Sequence, residues 1–316
     1  MSEEDKSGLD AFTETISGVP QPIQKSIFKA IGSLLEGLVD LPVAKLNQLT
    51  QAINDKTEAN KITTSALAKA AADNMVNDQE LVVIAAEAYL PTAVRKIRNR
   101  FKVAQCAVDN IKNKAREVDS DRTKAPDENW MNNFMRYAED ASSEELQDRM
   151  GRLLAGEVLN PGAYSLTTLR TLNELDSNLA FDFLEAWSKS VGESVDYSAE
   201  WERGSGYSRW QRLIEAGLMS SSTSARFTPE ITGNGIGVWA PMQTEDVWIN
   251  ISFRKGSDVR WTHIPFTRIG REIATLLPNP DYENNIRQAA LRIQKQGLVC
   301  ITLRKATGDT ELLWTE

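Results

Sequence analysis

Histidine is almost absent from this chain: His263 is the single one in 316 residues. Much side-chain acid–base chemistry at neutral pH, and many metal sites, are built on imidazole. A serine or cysteine triad would have to use His263 itself, and WTHIPFT, which contains it, reads as the end of a strand. Cysteine is equally scarce. Cys106 and Cys300 lie far apart and form neither a ligand pair nor a redox spacing. The expectation is no metal, no cofactor and no enzyme activity. Long apolar runs are missing as well, since none approaches the roughly 18–20 residues that would span a bilayer. The start, MSEEDKSGLD, is acidic and polar, unlike a secretory leader. The expected location is the cytoplasm, with a peripheral position at the inner membrane as the alternative.

What is present describes a globular protein. The chain is 41% hydrophobic and 25% charged, and its 316 residues exceed what one ordinary core organises. A formal net charge of -8 has the wrong sign for a whole-surface nucleic-acid binder, so any phosphate contact must come from a local patch.

Hydrophobic spacing divides the chain into three expected domains: 1–126, 127–195 and 196–316. In the first, Ile23, Ile27, Ile31, Leu34, Leu35 and Leu38 recur at three- and four-residue spacing, forming one stripe of a helix over Ile23–Val39. From Asn60 to about Val118 the chain reads as alanine-rich helix, with Pro91 expected to break or kink it. Helices of this kind pack on other helices or on copies of themselves, which predicts a homo-oligomer. The second domain reads as short helices. Trp130, Phe134 and Tyr137 stripe the first; Ser142 and Glu145 form a capping box for the next, which stops at Asn160-Pro161-Gly162. Ser165 caps a third with Leu166, Leu169 and Leu172 inward, and Leu179, Phe183 and Trp187 line a fourth.

After Gly192 the period changes. GYSRWQRLIEAGL reads as a helix closed by Gly217, and several β-branched and aromatic strands follow. Helices TRIGREIATLL and DYENNIRQAALRIQKQ come next, the latter ended by Gly297, before a terminal hairpin around 306–309. The phrases Leu-x-x-x-Gly-Leu and Thr-x-x-Gly-Arg are similar to those of winged-helix modules. The expected fold is therefore mainly α, with long N-terminal helices, a central helical module and a C-terminal α+β winged-helix-like domain.

Four groups of residues are candidate sites. The stripe on Ile23–Val39 suits either helix packing or a membrane interface. Arg95, Lys96, Arg98, Arg100 and Lys102 form a basic run suited to lipid or nucleic-acid phosphates, or to a solvated helix face. Arg203, Arg209 and Arg212 are the cations available for nucleic-acid contact, diluted by Glu202 and Glu215. Carboxylates such as Glu139, Asp140, Glu144 and Glu145 leave open a glycosidase-type or metal-binding pair, and they also have a sufficient explanation in helix capping and the helix dipole. GNGIG at 233–237 fails the dinucleotide fingerprint, because Val238 stands where the third glycine belongs, and reads as a flexible hairpin turn.

The block Trp130–Trp187 carries distinctive phrases: W-x-x-x-F-x-x-Y-A-E-D-x-S-S-E-E-x-Q, then L-L-A-G-E-V-x-x-P-G-x-Y-S-L-x-T-L. Trp130, Phe134, Tyr137, Glu139, Asp140, Ser142, Ala155, Gly156, Glu157, Pro161, Gly162, Ser165 and Leu169 carry them here. The block resembles an uncharacterised bacterial family of domain-of-unknown-function proteins, which is similar to the abortive-infection alpha proteins. FTRIGREIATLLPNPDYENNI is similar to the same family's C-terminal region. The resemblance touches about the last two-thirds of the chain, and the first 120 residues share only a helical, alanine-rich character. It implies a role in bacterial antiphage defence or a related stress response, with a phage or host protein as partner, and it supplies no catalytic residue. The matched positions are scaffold formers; Trp130, Phe134, Pro161 and Ser165 pack, turn and cap, and Glu157 is expected to satisfy buried backbone donors. A DNA-binding regulator, and an effector acting at a membrane through the first helix, are the alternatives.

Overall fold

The computed structural model describes residues 19–35, 79–114, 125–232 and 235–316. The Cα trace falls into two compact units, residues 1–169 and 170–316.

The first unit is helical. Helix α1 (Gln21–Leu34) starts at Pro20 and buries Ile23, Ile27, Ile31, Leu34 and Leu35. Leu38 lies outside the described residues. Helix α2 (Gln79–Lys114) runs without interruption through Pro91, so the expected break does not occur. A proline removes one N–H from the ladder, and the burial of Val94, Val103, Ala104, Ala107, Val108 and Ile111 secures the helix beyond it.

Helix α3 (Glu128–Asp140) is capped by Asp127, whose carboxylate accepts from the Trp130 N–H. Trp130 and Phe134 stack at 5.1 Å, and Tyr137 is half-buried beside them. Helix α4 (Glu144–Leu159) is capped by Ser143, one residue later than the expected Ser142. Ser143 is the position from which a hydroxyl reaches the Leu146 N–H. Helix α5 (Leu166–Glu174) has Ser165 as its cap, through the Thr168 N–H. Leu169 and Leu172 are buried, whereas Leu166 is 41% exposed, because the first residue of so short a helix points off its packed face.

Helices α2 and α4 approach closely at Gly151. A Cβ built there would lie 2.4 Å from the Cys106 Cβ and 2.8 Å from the Cys106 carbonyl carbon, so the hydrogen side chain sets the helix separation. Buried Asn99 fastens the same corner: its amide donates to the Glu139 carbonyl at 2.8 Å, and Gln147 donates to the Ala141 carbonyl at 2.8 Å.

The second unit is α+β. Helix α6 (Ser177–Ser188) is capped by Asp176. Strands β1 (Ser190–Val191) and β2 (Ser194–Asp196) precede helices α7 (Ala199–Glu202) and α8 (Gly204–Glu215). Then come β3 (Ser224–Phe227), β4 (Ile236–Trp239), β5 (Val247–Arg254) and β6 (Arg260–Pro265). Helices α9 (Arg268–Ala274) and α10 (Tyr282–Arg292) lead to β7 (Leu298–Lys305) and β8 (Thr310–Thr315). The strands form two antiparallel sheets, ordered β1-β2-β6-β3 and β4-β5-β7-β8. Val247, Ile249, Ile251 and Phe253 of β5 alternate inward and pack with Ile286, Ala289 and Ala290 of α10. Helix α10 ends at Arg292, short of the expected Gly297, because Ile293 leaves the helical region at ψ 138°. Of the glycine cluster, 233–234 lie outside the described residues, while Ile236 and Gly237 belong to β4 rather than to a turn.

Replacing Gly151 by valine forces backbone apart from backbone. The expected cost is about 1–3 kcal/mol, read as a lower urea midpoint at an unchanged slope.

Candidate functional site

Of the sequence-predicted cations of the first unit, Lys96 and Arg100 are absorbed into its framework. Lys96 and Arg100 converge on the Glu139 carboxylate at 3.0 and 3.6 Å, and that hydrogen bond raises the Lys96 ammonium pKa. Arg100 also donates to the Leu34 carbonyl at the end of α1. Arg98 is half-buried, and Arg95 and Lys102 are exposed. The six-residue stripe of the first helix, as far as it is described, faces α2, α3 and α4. Among the described residues no helix is long and apolar enough to cross a membrane. Glu157 is buried, and its carboxylate accepts from the Gly162 N–H at 2.6 Å and the Tyr164 N–H at 3.1 Å. Trp130 donates its indole N–H to the Tyr164 carbonyl at 2.9 Å, which closes the Pro161-Gly162 turn against α3. Cys106 and Cys300 are free, and burial pushes the Cys106 thiol pKa up. Among the described residues no histidine, cysteine or carboxylate cluster could hold a metal ion.

In the second unit, Arg209 and Arg212 of α8 meet Asp182 of α6, a residue that no sequence pattern singles out. Arg212 Nε donates to Asp182 Oδ2 at 2.6 Å and Arg209 Nε to Oδ1 at 3.3 Å. The Asp182 side chain is 7% exposed and that of Arg209 15%, whereas Arg212 keeps 51%. The bond from Arg212, joined by that from Arg209, outweighs burial and lowers the Asp182 pKa. Arg209 also lies 3.8 Å from Glu200 and 3.9 Å from Glu185. Arg203 is exposed at the start of α8.

The two motif phrases dock on each other. The Thr267 hydroxyl donates to the Gly217 carbonyl, and its N–H donates to the Leu218 carbonyl at 3.0 Å. The same hydroxyl oxygen caps α9 by accepting from the Gly270 N–H. A Cβ on Gly270 would stand 2.1 Å from the Leu218 carbonyl oxygen, so the Thr-x-x-Gly phrase needs glycine for this approach.

A cleft of about 780 Å³ opens between the first sheet, the loop from β4 to β5 and α10. Strand register assembles its floor. His263 sits between Asp196 of β2 and Ser224 of β3, and Arg226 sits beside Trp261. His263 is buried, stacks on the Trp261 ring at 4.4 Å, and its Nδ1 lies 3.0 Å from the Ser194 hydroxyl. Burial, and then the nearby Arg226 charge, hold its pKa down at about 4. Serine, histidine and aspartate thus lie together, yet they are not wired as a triad. Asp196 accepts from the Trp261 indole at 2.8 Å and from Arg292 at 2.7 Å, and burial raises its pKa despite these partners. Both carboxylate oxygens are therefore committed away from His263. Ser194, Arg226 and Asp196 gave no spacing signal, because strand pairing alone brings them to His263.

Two outcomes follow. Asp182→Asn is expected to cost about 1–3 kcal/mol at neutral pH, since it strips two guanidinium groups of their shared partner. Because the native carboxylate titrates below its ordinary 3.8, that stabilisation is present above pH 4 and disappears below it. The difference between variant and wild type in urea unfolding should therefore close on strong acidification. His263 acts in the same direction through an opposite group. The native chain binds fewer protons than the unfolded chain between pH 6.5 and about 4, so stability falls across that window by about 3 kcal/mol at full extent. His263→Gln should flatten that segment of the pH–stability curve.

No curated protein and no solved structure matches the chain. A family model described as "Protein of unknown function (DUF2806)" matches residues 93–201. The match begins inside α2 and stops in α7, so the Thr267-x-x-Gly270 phrase lies beyond it. Over residues 93–201, from the middle of α2 to Trp201, this chain is similar to that uncharacterised family.

Proposed function

We propose that this chain is a non-catalytic binding protein of a bacterial antiphage-defence response, and that its second unit contains a winged-helix module used for protein contact rather than for reading DNA. The observation that carries this reading is the Asp182 clamp. Arg209 and Arg212, the cations that α8 would offer to a DNA groove, are bound to a carboxylate of the same unit. That carboxylate offsets part of their charge, and Glu185 and Glu200 beside Arg209 repel the approach of a phosphate.

The winged-helix assignment is supported by strand order. A winged helix places the strand before its helices against the last strand of the wing, with the wing's first strand outside. The order β2-β6-β3, with α7 and α8 between β2 and β3, has that pattern. On this reading β4 and β5 are an insertion within the wing. Absence of catalysis is supported by the wiring of Asp196 and by the His263 pKa of about 4, too low for an effective base at neutral pH. Phe181 and Leu184, three residues apart on α6, are 59% and 44% exposed, as suits a protein-contact face. The defence setting, and the link to abortive-infection alpha proteins, rest on the motif resemblance. Self-assembly through the long N-terminal helices belongs to the same proposal.

Three measurements test it. A gel shift with duplex DNA at about 50 mM salt is expected to show no complex; a salt-dependent shift would favour a DNA-binding regulator. Sedimentation at micromolar concentration should show an oligomer, and a strict monomer removes the assembly part. Phage plating on cells with and without the gene should differ, and equal plating overturns the defence setting.

A further inference from the structure

We propose that the cleft beside His263 is a binding site for a small planar aromatic monoanion, its carboxylate held between Arg226 and His263 and its ring set against Trp187 and Tyr282. Its volume of about 780 Å³ lies within the usual range of ligand sites, roughly 300–1,000 Å³.

The polar end is specific. Arg226 lies over the Trp261 ring at 5.6 Å and spends Nη1 on the Pro241 carbonyl at 2.7 Å. Among the described residues its Nη2 and Nε make no hydrogen bond, so part of the guanidinium fork remains for an oxygen pair. His263 is 6% exposed and lines the cleft. Its Nδ1 is matched with the Ser194 hydroxyl, and among the described residues nothing hydrogen-bonds to its Nε2. A carboxylate at Nε2 selects the tautomer in which the Ser194 O–H donates to Nδ1 and the neutral imidazole carries its proton on Nε2, so that it donates to the ligand. One cationic fork and one neutral donor suit the two oxygens of a carboxylate.

The surroundings define the rest of the ligand. Trp187 and Tyr282 meet edge to face at 6.2 Å and 88°, and both line the cleft, forming a corner that accepts a flat ring. Arg271, the other lining cation, is committed to Glu193 at 3.4 Å and to the Phe266 carbonyl at 2.9 Å. Glu245 and Asp246 stand among the lining residues and repel a second negative charge. The site therefore selects one charge and one ring.

Calorimetric titration of the full chain at pH 7 tests this with four probes: 2-naphthoate, the isosteric 2-naphthamide, cyclohexanecarboxylate and naphthalene-2,6-dicarboxylate. Saturable binding of 2-naphthoate is expected, with the other three about tenfold weaker or more, the loss of one charge-assisted contact being worth about a factor of ten. Arg226→Gln should weaken 2-naphthoate by a similar factor, while Arg260→Gln, the same charge change at an exposed site on β6, should leave it unchanged. Absence of saturable 2-naphthoate binding at millimolar concentration overturns the proposal. So does an amide that binds as well as the carboxylate, a comparison on the wild-type chain that does not depend on any variant folding. DNA binding, oligomer state and phage plating read the protein-contact proposal separately, so either can fail alone.

Discussion

The second unit depends on the register of one strand, β6. Its residues alternate between two surfaces: Trp261 and His263 line the cleft, whereas Ile264 is buried opposite Val195 on the neighbouring strand. Phe266, just past the strand, meets Phe183 and Trp187 of α6 edge to face at 5.7 and 5.6 Å. A slip by one residue would exchange these two sets. It would also pull Thr267 away from the Gly217 and Leu218 carbonyls, to which its hydroxyl and N–H donate. Pairing on both sides, with β2 and with β3, together with the Thr267 lock, holds one register against the other.

Carboxylates placed inside the fold have a second organising role. Glu157 gathers backbone donors of a turn, Asp182 gathers two arginines of α8, and Asp196 gathers an indole N–H and Arg292. Each is buried, and each has donors to offset its desolvation. The consequence for function is subtractive. Arg209 and Arg212, which look available in the sequence, are paired with Asp182, which reduces the free positive charge that α8 sets against the net charge of -8. This is why contact with protein is the reading carried forward for that helix.

The helices of both units were legible because their signals are local. Ser165 marks the start of α5 by reaching the Thr168 N–H three residues on. The stripe Ile23 to Leu35 shows its buried face in its own spacing. The differences are local as well: Ser143 caps α4 in place of Ser142, and α10 ends at Arg292. In each, packing or cap geometry chose between near-equal options that composition does not separate. The cleft was not legible at all. In the sequence His263 stands out only as the one histidine, at a strand end with no visible partner.

The sequence by itself determined the helical stripes, the Ser165 cap, the change to strand periodicity after Gly192, and the two phrases that end α8 and begin α9. These depend on neighbours within a few residues, where side-chain spacing and backbone geometry are coupled directly. Only the tertiary structure decided that Asp182 holds Arg209 and Arg212, across 27 and 30 residues. The same is true of Ser194 and His263, which meet across 69 residues. Such pairings come from strand order and register, which bring distant segments together by burial of shared apolar faces, and no local pattern records which polar groups will then face one another.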